Sequence, residues 1–387
     1  MKIMIKKSDA YALFEPDVMT EIMEGTIKQS AVLQMFRRLP NMTSNKTKMR
    51  VLDSLPMAYW VDADTNNGRK KLTKMAWDNK FITAEELAVI VPIKEDVLDD
   101  ADYDIWADVR PRLVEAFGKA IDNAILTGVN KPNGFRLDLL SSVLNAGAVV
   151  TQGADQTLYS AINDAMVKVE ESGYNPNGLV GGVDVKGKFR MMLDTSGQPI
   201  AGTEIGNLPK FYVDNGAWDK DKAMMVVGDF SQAVYAIRQD ITYKILDQAV
   251  IQDPATGEIL YNLAQEDMVA LRVVMRLGWE IPNPINALNP DEATRFPFAS
   301  IVKNGGSTLS TYVATVTVKD NASPTPAAIK DAKVTVGGVS KKTNASGVAT
   351  FNLQNGVYAV LVQKDGKVAT DSVTVSSAAA SKAITLK

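Results

Sequence analysis

Few kinds of side chain in this sequence could do chemistry, because its 387 residues include no histidine and no cysteine. Their absence excludes thiolate nucleophiles, disulfide bonds, Ser-His-Asp triads and zinc sites built from histidine or cysteine. Carboxylates are plentiful, but nothing in their spacing marks a pair of catalytic acids. We therefore expect a protein that is not an enzyme, with no catalytic, cofactor-binding or metal-binding residues.

The densest acidic cluster is the segment Glu95-Asp96-Val97-Leu98-Asp99-Asp100. Several carboxylate oxygens close together could bind a hard divalent cation. A long helical pattern begins just after the cluster, however, and carboxylates favour the positive end of a helix dipole. We therefore interpret the cluster as the start of a helix in preference to a metal site. A second candidate, Gly181-Gly182, lacks the spacing of a phosphate-binding loop and predicts only a turn.

Basic residues are concentrated in a segment with the pattern of a β-hairpin. Asn67-Gly68 is a tight-turn dipeptide, and strand-like stretches flank it at 57–61 and 72–77. The lysines and arginines of this segment are Lys46, Lys48, Arg50, Arg69, Lys70, Lys71 and Lys74. An isolated two-stranded ribbon is marginally stable in water, so a long one predicts a partner surface. A solvated surface hairpin is the alternative.

The elements that must position this ribbon alternate between helix and strand. Apolar spacing and β-branched runs predict helices at 11–39, 103–127, 157–171 and 186–193, and strands at 179–183, 223–227, 233–237 and 241–246. Pro111 should kink or restart the second helix, and Gly128 should end it. The stretch 267–281 fits either strand or helix, and we favour strand in its later half.

The C-terminal part of the sequence is rich in strand patterns alone. A linker at 303–310 precedes strand-like segments at 312–319, 333–336, 348–353, 357–363, 368–375 and 383–386. Asn355-Gly356 and Asp365-Gly366 are tight-turn dipeptides, and each predicts a hairpin between its neighbouring strands. We therefore expect a small all-β sandwich at 311–387 that folds by itself.

Two stretches carry a family resemblance through the order and spacing of their motifs. The first runs from Tyr59-Trp60-Val61 through Ile90-Val91-Pro92-Ile93 to Pro132-Asn133-Gly134-Phe135, and the second from Gln265 through Arg276-Leu277-Gly278 to Pro282-Asn283-Pro284. They resemble the major capsid proteins of tailed bacteriophages, whose fold is named after the phage Hong Kong 97. The resemblance implies an α+β protein with an N-terminal arm (1–41), an extended loop (42–79), a peripheral domain with a long spine helix (80–135 and 264–302) and an axial domain (136–263).

The resemblance also implies a function as a structural shell subunit. Pentamers and hexamers would form an icosahedral virion around packaged double-stranded DNA. The N-terminal helix and the ribbon would contact neighbouring subunits, with contact candidates Trp60, Arg69, Lys70, Lys71 and Lys74. Some relatives join subunits by a lysine-to-asparagine bond from this loop, whereas here we expect salt contacts with an acidic neighbour. The arm begins almost at once, which predicts a separate scaffolding protein, or a chain already processed, and a portal.

The net charge and the hydropathy of the sequence limit which other partners we expect. The net charge of −3 predicts a near-neutral or mildly acidic inner wall and weak, non-specific contact with DNA. No segment approaches the roughly 20 apolar residues that span a bilayer. The N-terminus also lacks the apolar region of a signal peptide. We therefore expect assembly in the host bacterial cytoplasm, without a membrane partner.

The C-terminal sandwich carries a second resemblance. The segment Thr343-Asn344-Ala345-Ser346-Gly347-Val348-Ala349-Thr350-Phe351 resembles bacterial immunoglobulin-like repeats and the related carboxypeptidase-regulatory-type sandwich. This implies an outward decoration domain, either for weak adhesion to a host surface or glycan or as an inert spacer. Two alternatives to the phage shell stay open at this point: an encapsulin compartment that holds cargo enzymes, and a carrier of a carbohydrate-binding sandwich.

Overall fold

The structure is a computed structural model. It describes residues 26, 29–56, 58, 60, 70, 72–73, 75–96, 105–153, 156–192, 204–253, 256–292, 294–303, 311–321 and 326–386. Some sequence-based expectations fall outside this part of the chain, namely most of the N-terminal helix, the Asn67-Gly68 turn and most of the 303–310 linker. The predicted contact residues Arg69, Lys71 and Lys74 fall outside it as well.

The described residues up to 303 contain both helices and strands. The α-helices of the described residues are α1 (Ala31–Met35), α2 (Ile105–Asp122), α3 (Leu139–Asn145), α4 (Leu158–Glu171), α5 (Val185–Arg190) and α6 (Glu204–Asn207). The strands are β1 (Arg37–Arg38), β2 (Lys46–Ser54), β3 (Ala76–Thr83), β4 (Glu85–Lys94), β5 (Val149–Gln152), β6 (Gly178–Gly182), β7 (Lys210–Val213), β8 (Met225–Gly228), β9 (Val234–Leu246), β10 (Val250–Gln252), β11 (Ile259–Asn262), β12 (Met268–Glu280) and β13 (Phe298–Lys303).

Helix α2 is the long helix predicted for the centre of the fold. It passes directly into a π-helical turn, Asn123–Thr127, and ends at Gly128, whose φ of 74° is left-handed. Gly128 therefore ends the helix as predicted. Pro111 lies inside the continuous helix, so the restart predicted there is wrong. Burial of the face that carries Leu113 and Phe117 outweighs the one hydrogen bond that proline removes.

Two sheets and the helices that cover them share one hydrophobic core. The first sheet has the strand order β1-β9-β12-β4, and the second has the order β5-β13-β8-β6-β7. Two further pairs, β2-β3 and β10-β11, form antiparallel ribbons. Helix α4 contacts the second sheet, and Ala161, Ile162 and Ala165 on its inner side are fully buried. The predicted range of α4 is confirmed, with the Thr157 side chain accepting a hydrogen bond from the backbone N–H of Ser160 at its start.

Long-range pairing changes three of the predicted elements. The helix predicted to reach residue 39 ends at Met35, because the next residues form β1 and pair in parallel with the start of β9. The strands predicted at 233–237 and 241–246 are one strand, β9. Likewise β12 is strand throughout, and not only in the later half of 267–281. Strands β9 and β12 are both 13 residues long because they pair with each other along most of their length.

The sheets do not follow the predicted domain limits. Strand β9 lies within 136–263, predicted as the axial domain, yet it pairs with β12 in the sheet that also contains β4. Strand β13 was predicted as peripheral, yet it pairs with β5 and β8. The limits at 135 and 263 therefore differ from the boundaries of the hydrogen-bonded sheets, since sequence spacing does not show which distant strands pair.

Residues 312–321 and 326–386 form a two-sheet β-sandwich, which we call the C-terminal module. Its strands are β14 (Tyr312–Asp320), β15 (Lys333–Val336), β16 (Val339–Lys342), β17 (Val348–Leu353), β18 (Gly356–Lys364), β19 (Lys367–Val375) and β20 (Ala380–Leu386). One sheet has the order β17-β14-β20 and the other β16-β15-β18-β19. The sheets enclose a hydrophobic core separate from that of the body. The predicted strands are confirmed, and β16 is an additional one.

The two tight-turn dipeptides of the C-terminal module have different roles. Asp365-Gly366 joins β18 to β19, and both residues have the positive φ that a type I′ hairpin requires, 49° and 81°. This hairpin is confirmed. Asn355-Gly356 joins β17 to β18, which lie in different sheets, so the hairpin predicted there is wrong. Leu353 and Tyr358, on either side of the dipeptide, contribute to the same core from opposite sheets, and the chain must therefore cross between the sheets.

Candidate functional site

The predicted ribbon is formed by β2 and β3. The two strands pair antiparallel, from Lys46 opposite Thr83 to Ser54 opposite Ala76. Of the described residues in the predicted stretches 57–61 and 72–77, two lie in β3, Ala76 and Trp77. The others are not in a strand, namely Ala58, Trp60, Leu72, Thr73 and Met75. The register is the one that buries Val51 and Ile82 on the body of the protein. Apolar burial at the base of the ribbon determines the register of the two strands.

One face of the ribbon combines cations with aromatic rings, and we call it the outer face. Residues opposite each other in an antiparallel ladder share a face. The outer face carries Lys46, Lys48 and Arg50 on β2, and Trp77 and Phe81 on β3. The Trp77 side chain is 60% exposed, and the Nζ atom of Lys46 lies 4.5 Å from the centre of the Phe81 ring. Such a surface offers both apolar area and positive charge to a partner.

Two of the predicted contact residues lie in the described part of the chain. Trp60 is 99% exposed, and Lys70 is exposed as well. Leu72, on the other side of the turn, is 100% exposed. Large apolar side chains that are exposed in one segment, here the segment that joins β2 to β3, are typical of a surface that another protein covers. The roles of Arg69, Lys71 and Lys74 in this surface stay predictions.

The base of the ribbon is fixed on the first sheet. Ile82 is fully buried in a small apolar cluster between the ribbon and β9. Gly278 of β12 passes so close that a Cβ atom there would lie 2.4 Å from the carbonyl oxygen of Thr83. Only glycine permits this approach. The backbone N–H of Ile285 also donates a hydrogen bond to the carbonyl oxygen of Leu52 at 3.1 Å.

A network of ion pairs lies on the inner face of the ribbon. Lys80 of β3 donates to one carboxylate oxygen of Glu292, and the Nζ atom of Lys333 lies 2.8 Å from the other. Lys333 also donates to Asp78 of β3. Burial on its own would raise the pKa of Glu292, but the charges of Lys80 and Lys333 outweigh it and lower that pKa to about 2. Glu292 is therefore ionised throughout the physiological range.

The start of the described chain is fixed by Asp122, at the end of α2. The Asp122 carboxylate accepts hydrogen bonds from the Ser30 hydroxyl at 2.6 Å, from the amides of Ala31 and Val32 at 3.0 and 3.1 Å, and from the Asn215 side chain at 2.8 Å. Burial raises the pKa of Asp122, and these hydrogen bonds oppose the rise. Asp122 thus joins the N-terminal arm, α2 and the loop after β7 at one point.

The C-terminal module is docked on the body through the segment that precedes α3. Leu137 of that segment is buried in the core of the module, and its backbone N–H donates to the carbonyl oxygen of Gly337 at 2.6 Å. Gly338, with a φ of 83°, has no room for a side chain, because a Cβ atom would lie 2.7 Å from that of Arg136. Asn145 exchanges two hydrogen bonds of 2.9 Å with the backbone of Asn352.

A buried ion pair lies directly beneath this contact. The Nη1 atom of Arg136 donates to Glu280 at 2.8 Å, and its Nη2 atom donates to the Ser142 hydroxyl at 3.2 Å. Both charged side chains are almost completely buried. The Arg136 guanidinium also lies 5.3 Å from the ring of Trp279. Burial raises the pKa of Glu280, and the guanidinium opposes the rise. Each member of the pair therefore depends on the other to remain charged in the interior.

The residues that the structure describes offer contact area and charge, with little that could perform a reaction. Among them, no group of three or more acidic, histidine or cysteine residues could hold a metal ion. No helix in this part of the chain is long and apolar enough to cross a membrane. A cleft of about 470 Å³ lies between α2 and β4, and Leu87, Ala120 and Phe135 give it a mainly apolar lining. Of the acidic cluster at 95–100, only Glu95 and Asp96 are described.

The relationship to known proteins follows from a match over most of the chain. A family model described as "Phage capsid family" matches residues 11–289. The chain belongs to the phage capsid family. The matched range contains the ribbon, α2 and the whole of the first sheet, and it ends before β13 and the C-terminal module. Its location agrees with the two stretches that carried the resemblance in the sequence.

Individual relatives support the same assignment. The major capsid protein of Staphylococcus phage 80alpha is 25% identical over 274 residues, which are 68% of this chain and 79% of that protein. A solved structure from Microbacterium phage Oxtober96 is 34% identical, with a TM-score of 0.63 over 71% of this chain and 91% of that one. One from Mycobacterium phage Adephagia is 30% identical, with a TM-score of 0.63 over 71% and 90%.

This phage capsid protein is a structural component of the virion and not an enzyme. The predicted α+β fold of the Hong Kong 97 type is confirmed by these structural neighbours. The immunoglobulin-like assignment of the C-terminal module stays a prediction, because the family match ends at residue 289.

The anchoring roles of Asp122 and Leu137 were not predicted from the sequence, although Asp122 belongs to the helix that carries the family resemblance. One signal for Asp122 was available in Gly118, four residues earlier in α2. A Cβ atom at Gly118 would lie 3.1 Å from the Cβ atom of Gln29, so this glycine marks the approach of another segment to the helix. Leu137 is one leucine in an apolar stretch, and nothing in its spacing shows that it enters the core of a different module.

Proposed function

We propose that this protein forms the pentamers and hexamers of a closed phage shell around double-stranded DNA, and that the ribbon is its principal contact with neighbouring subunits. The observation that carries the proposal is the exposure of Trp77 on β3, together with that of Trp60 and Leu72 in the segment between β2 and β3. In a monomeric protein these apolar side chains would stay exposed to water and would contribute nothing to stability. In a shell, a neighbouring subunit covers them.

The free energy gained by burying these tryptophans is large enough to support assembly. An aromatic side chain buries about 150–250 Å² at an interface, and removal of apolar area from water contributes about 25 cal/mol per Å². Two tryptophans per ribbon therefore contribute several kcal/mol before the entropy of association is subtracted. A closed symmetric shell repeats the same contact at every subunit, so a modest contact stabilises the whole particle.

In this proposal the positively charged side chains of the ribbon determine how the ribbon is oriented on the neighbouring subunit. Lys46, Lys48 and Arg50 lie in a row on the outer face, and Lys70 lies near the turn. An acidic patch on the neighbouring subunit would select one register by charge complementarity. The predicted cluster of Arg69, Lys71 and Lys74 would extend this row. The N-terminal arm, held by Asp122, is the second segment that we assign to contacts between subunits.

The other partners have weaker roles. A net charge of −3 favours loose, non-specific contact with the packaged DNA. A separate scaffolding protein and a portal would direct assembly, and the C-terminal module would face outwards, as decoration or as a weak ligand for a host surface or glycan. The division into arm, loop, peripheral and axial domains is kept as a proposal. Relatives at 30–34% identity are phage proteins, which favours a virion over an encapsulin compartment or a carbohydrate-binding carrier.

An assembly assay with ribbon variants tests the proposal. The double variant Trp60→Ser/Trp77→Ser should fold like the wild type but should lose shells and capsomer rings in negative-stain electron microscopy and sedimentation velocity. The control is Val368→Ser, which removes an apolar side chain of the C-terminal module that is also more than half exposed. It should assemble normally. Normal assembly of the double variant would rule out the ribbon as the principal contact.

A further inference from the structure

Lys333 joins three separate parts of this capsid protein. It is the first residue of β15 in the C-terminal module. Its amino group donates to Asp78 of the ribbon and lies 2.8 Å from the carboxylate of Glu292 in the body. Lys80 of the ribbon donates to the other oxygen of the same carboxylate. Positive and negative groups thus alternate along one chain of contacts, Lys80–Glu292–Lys333–Asp78.

These contacts lie close to the place where the ribbon leaves the body. Asp78 and Lys80 are on the inner face of β3, next to the buried Val51 that lies opposite Asp78 in the ladder. Leu72, six residues further along, is completely exposed. Trp77, which is adjacent to Asp78 in β3, is 60% exposed on the outer face. A rotation at Asp78 therefore also reorients the exposed ring that we assign to the contact with a neighbour.

The environment makes the network stronger than an ordinary surface ion pair. The side chains are only partly accessible, with exposures of 11% for Lys80, 19% for Glu292, 21% for Lys333 and 26% for Asp78. Partial burial weakens screening by water and salt. Without Lys333, the Asp78 and Glu292 carboxylates would face each other with one cation fewer between them. Repulsion would then push the ribbon away from the body.

A module that moved freely could not hold the ribbon in this way. The C-terminal module is fixed, however, because Leu137 is buried in its core and Asn145 holds the end of β17. Lys333 is therefore presented to the ribbon from a rigid position.

We propose that Lys333 is a positioning residue, through which the C-terminal module braces the base of the ribbon and sets the direction in which the ribbon reaches the neighbouring subunit. This inference rests on the proposed role of the ribbon in assembly. It gives the C-terminal module a task in building the shell, in addition to any role on the outer surface.

The test compares Lys333→Met with two matched variants of the full-length protein. Lys333→Arg keeps the charge. Lys342→Met removes an exposed lysine that lies directly opposite Lys333 in the β15–β16 ladder. In Lys333→Met, amide hydrogen exchange in 46–54 and 76–83 should become about tenfold faster, because a charge-assisted contact is lost. Exchange within β14, β17 and β18 should not change. Closed shells should become fewer or irregular in electron micrographs.

Lys333→Arg should restore slow exchange and regular shells, and Lys342→Met should match the wild type throughout. Unchanged exchange of the ribbon in Lys333→Met would overturn the proposal. Faster exchange together with a normal yield and shape of shells would also overturn the proposal, because the ribbon would then reach its neighbour correctly without the contact to Lys333. Neither result would affect the role of the ribbon in assembly, which the Trp60→Ser/Trp77→Ser variant tests separately.

Discussion

Replacing Glu280 with alanine should lower the free energy of unfolding by about 3–5 kcal/mol, the cost of leaving a buried charge without its partner. Glu280 accepts a hydrogen bond of 2.8 Å from Arg136, and both side chains are almost completely buried. Gly338 of the docked C-terminal module lies against them, and the Trp279 ring lies 5.3 Å from the guanidinium. In the variant the guanidinium would keep its hydrogen bond to Ser142 but would lose its counter-charge. The melting temperature should fall by roughly 5 °C or more.

An exposed pair of the same residue types provides the control. Glu86 and Arg276 form an ion pair whose side chains are 47% and 39% exposed. Glu86→Ala should therefore cost at most about 1 kcal/mol. The double variant Arg136→Met/Glu280→Met, which removes both buried charges, should recover most of the loss. Differential scanning fluorimetry of the unassembled protein measures all three, and equal losses for Glu280→Ala and Glu86→Ala would contradict this description of the buried pair.

Replacing Leu137 with alanine should destabilise the protein by about 2–5 kcal/mol and loosen the C-terminal module from the body. Leu137 belongs to the body by sequence, yet its side chain fills the core of the module and is 1% exposed. The cavity left by alanine lies at the contact itself. Amide exchange should therefore accelerate in the β15–β16 turn and in α3, before it does so elsewhere.

Leu386 supplies the matched control for this variant. It is an equally buried leucine of the same core, contributed by β20 of the C-terminal module itself. Leu386→Ala should cost a similar free energy but should accelerate exchange in β14 and β20, which pair with each other. An exchange pattern for Leu137→Ala that is the same as that for Leu386→Ala would show that Leu137 supports the core of the module without docking it.

Local sequence signals predicted the elements that depend on local physics. The amphipathic spacing of 157–171 and the Thr157 cap predicted α4. Gly128 ends α2 because glycine readily adopts the left-handed backbone conformation found there. The strands of the C-terminal module were also found, since alternating side chains and turn residues are local properties. The family resemblance contributed the overall capsid fold, which none of these spacings could supply.

Features that depend on distant pairing were not predicted. The α1 helix stops at Met35 because β9, some two hundred residues away, pairs with the residues that follow it. Asn355-Gly356 resembles a hairpin turn locally, but β17 and β18 belong to different sheets.

The candidate site was predicted in outline only. Trp60 and the basic ribbon were proposed as contact residues from the sequence, because an aromatic residue and a run of cations beside a turn are visible there, and their role stays a prediction. The contacts that fix the ribbon join Asp78 to Lys333 and Lys80 to Glu292, residues that are more than two hundred positions apart. Each of these side chains is an ordinary surface residue by type, and only their meeting in space gives them a role.

The most direct test of the account is a cryo-electron microscopy reconstruction of particles assembled from this protein, expressed with and without a scaffolding protein of its phage. We expect closed icosahedral shells in which the ribbon of each subunit lies on a neighbour and Trp60 and Trp77 are buried between them. Shells in which both tryptophans remain in water would contradict the role of the ribbon. Monomers alone under both conditions would contradict the assembly itself.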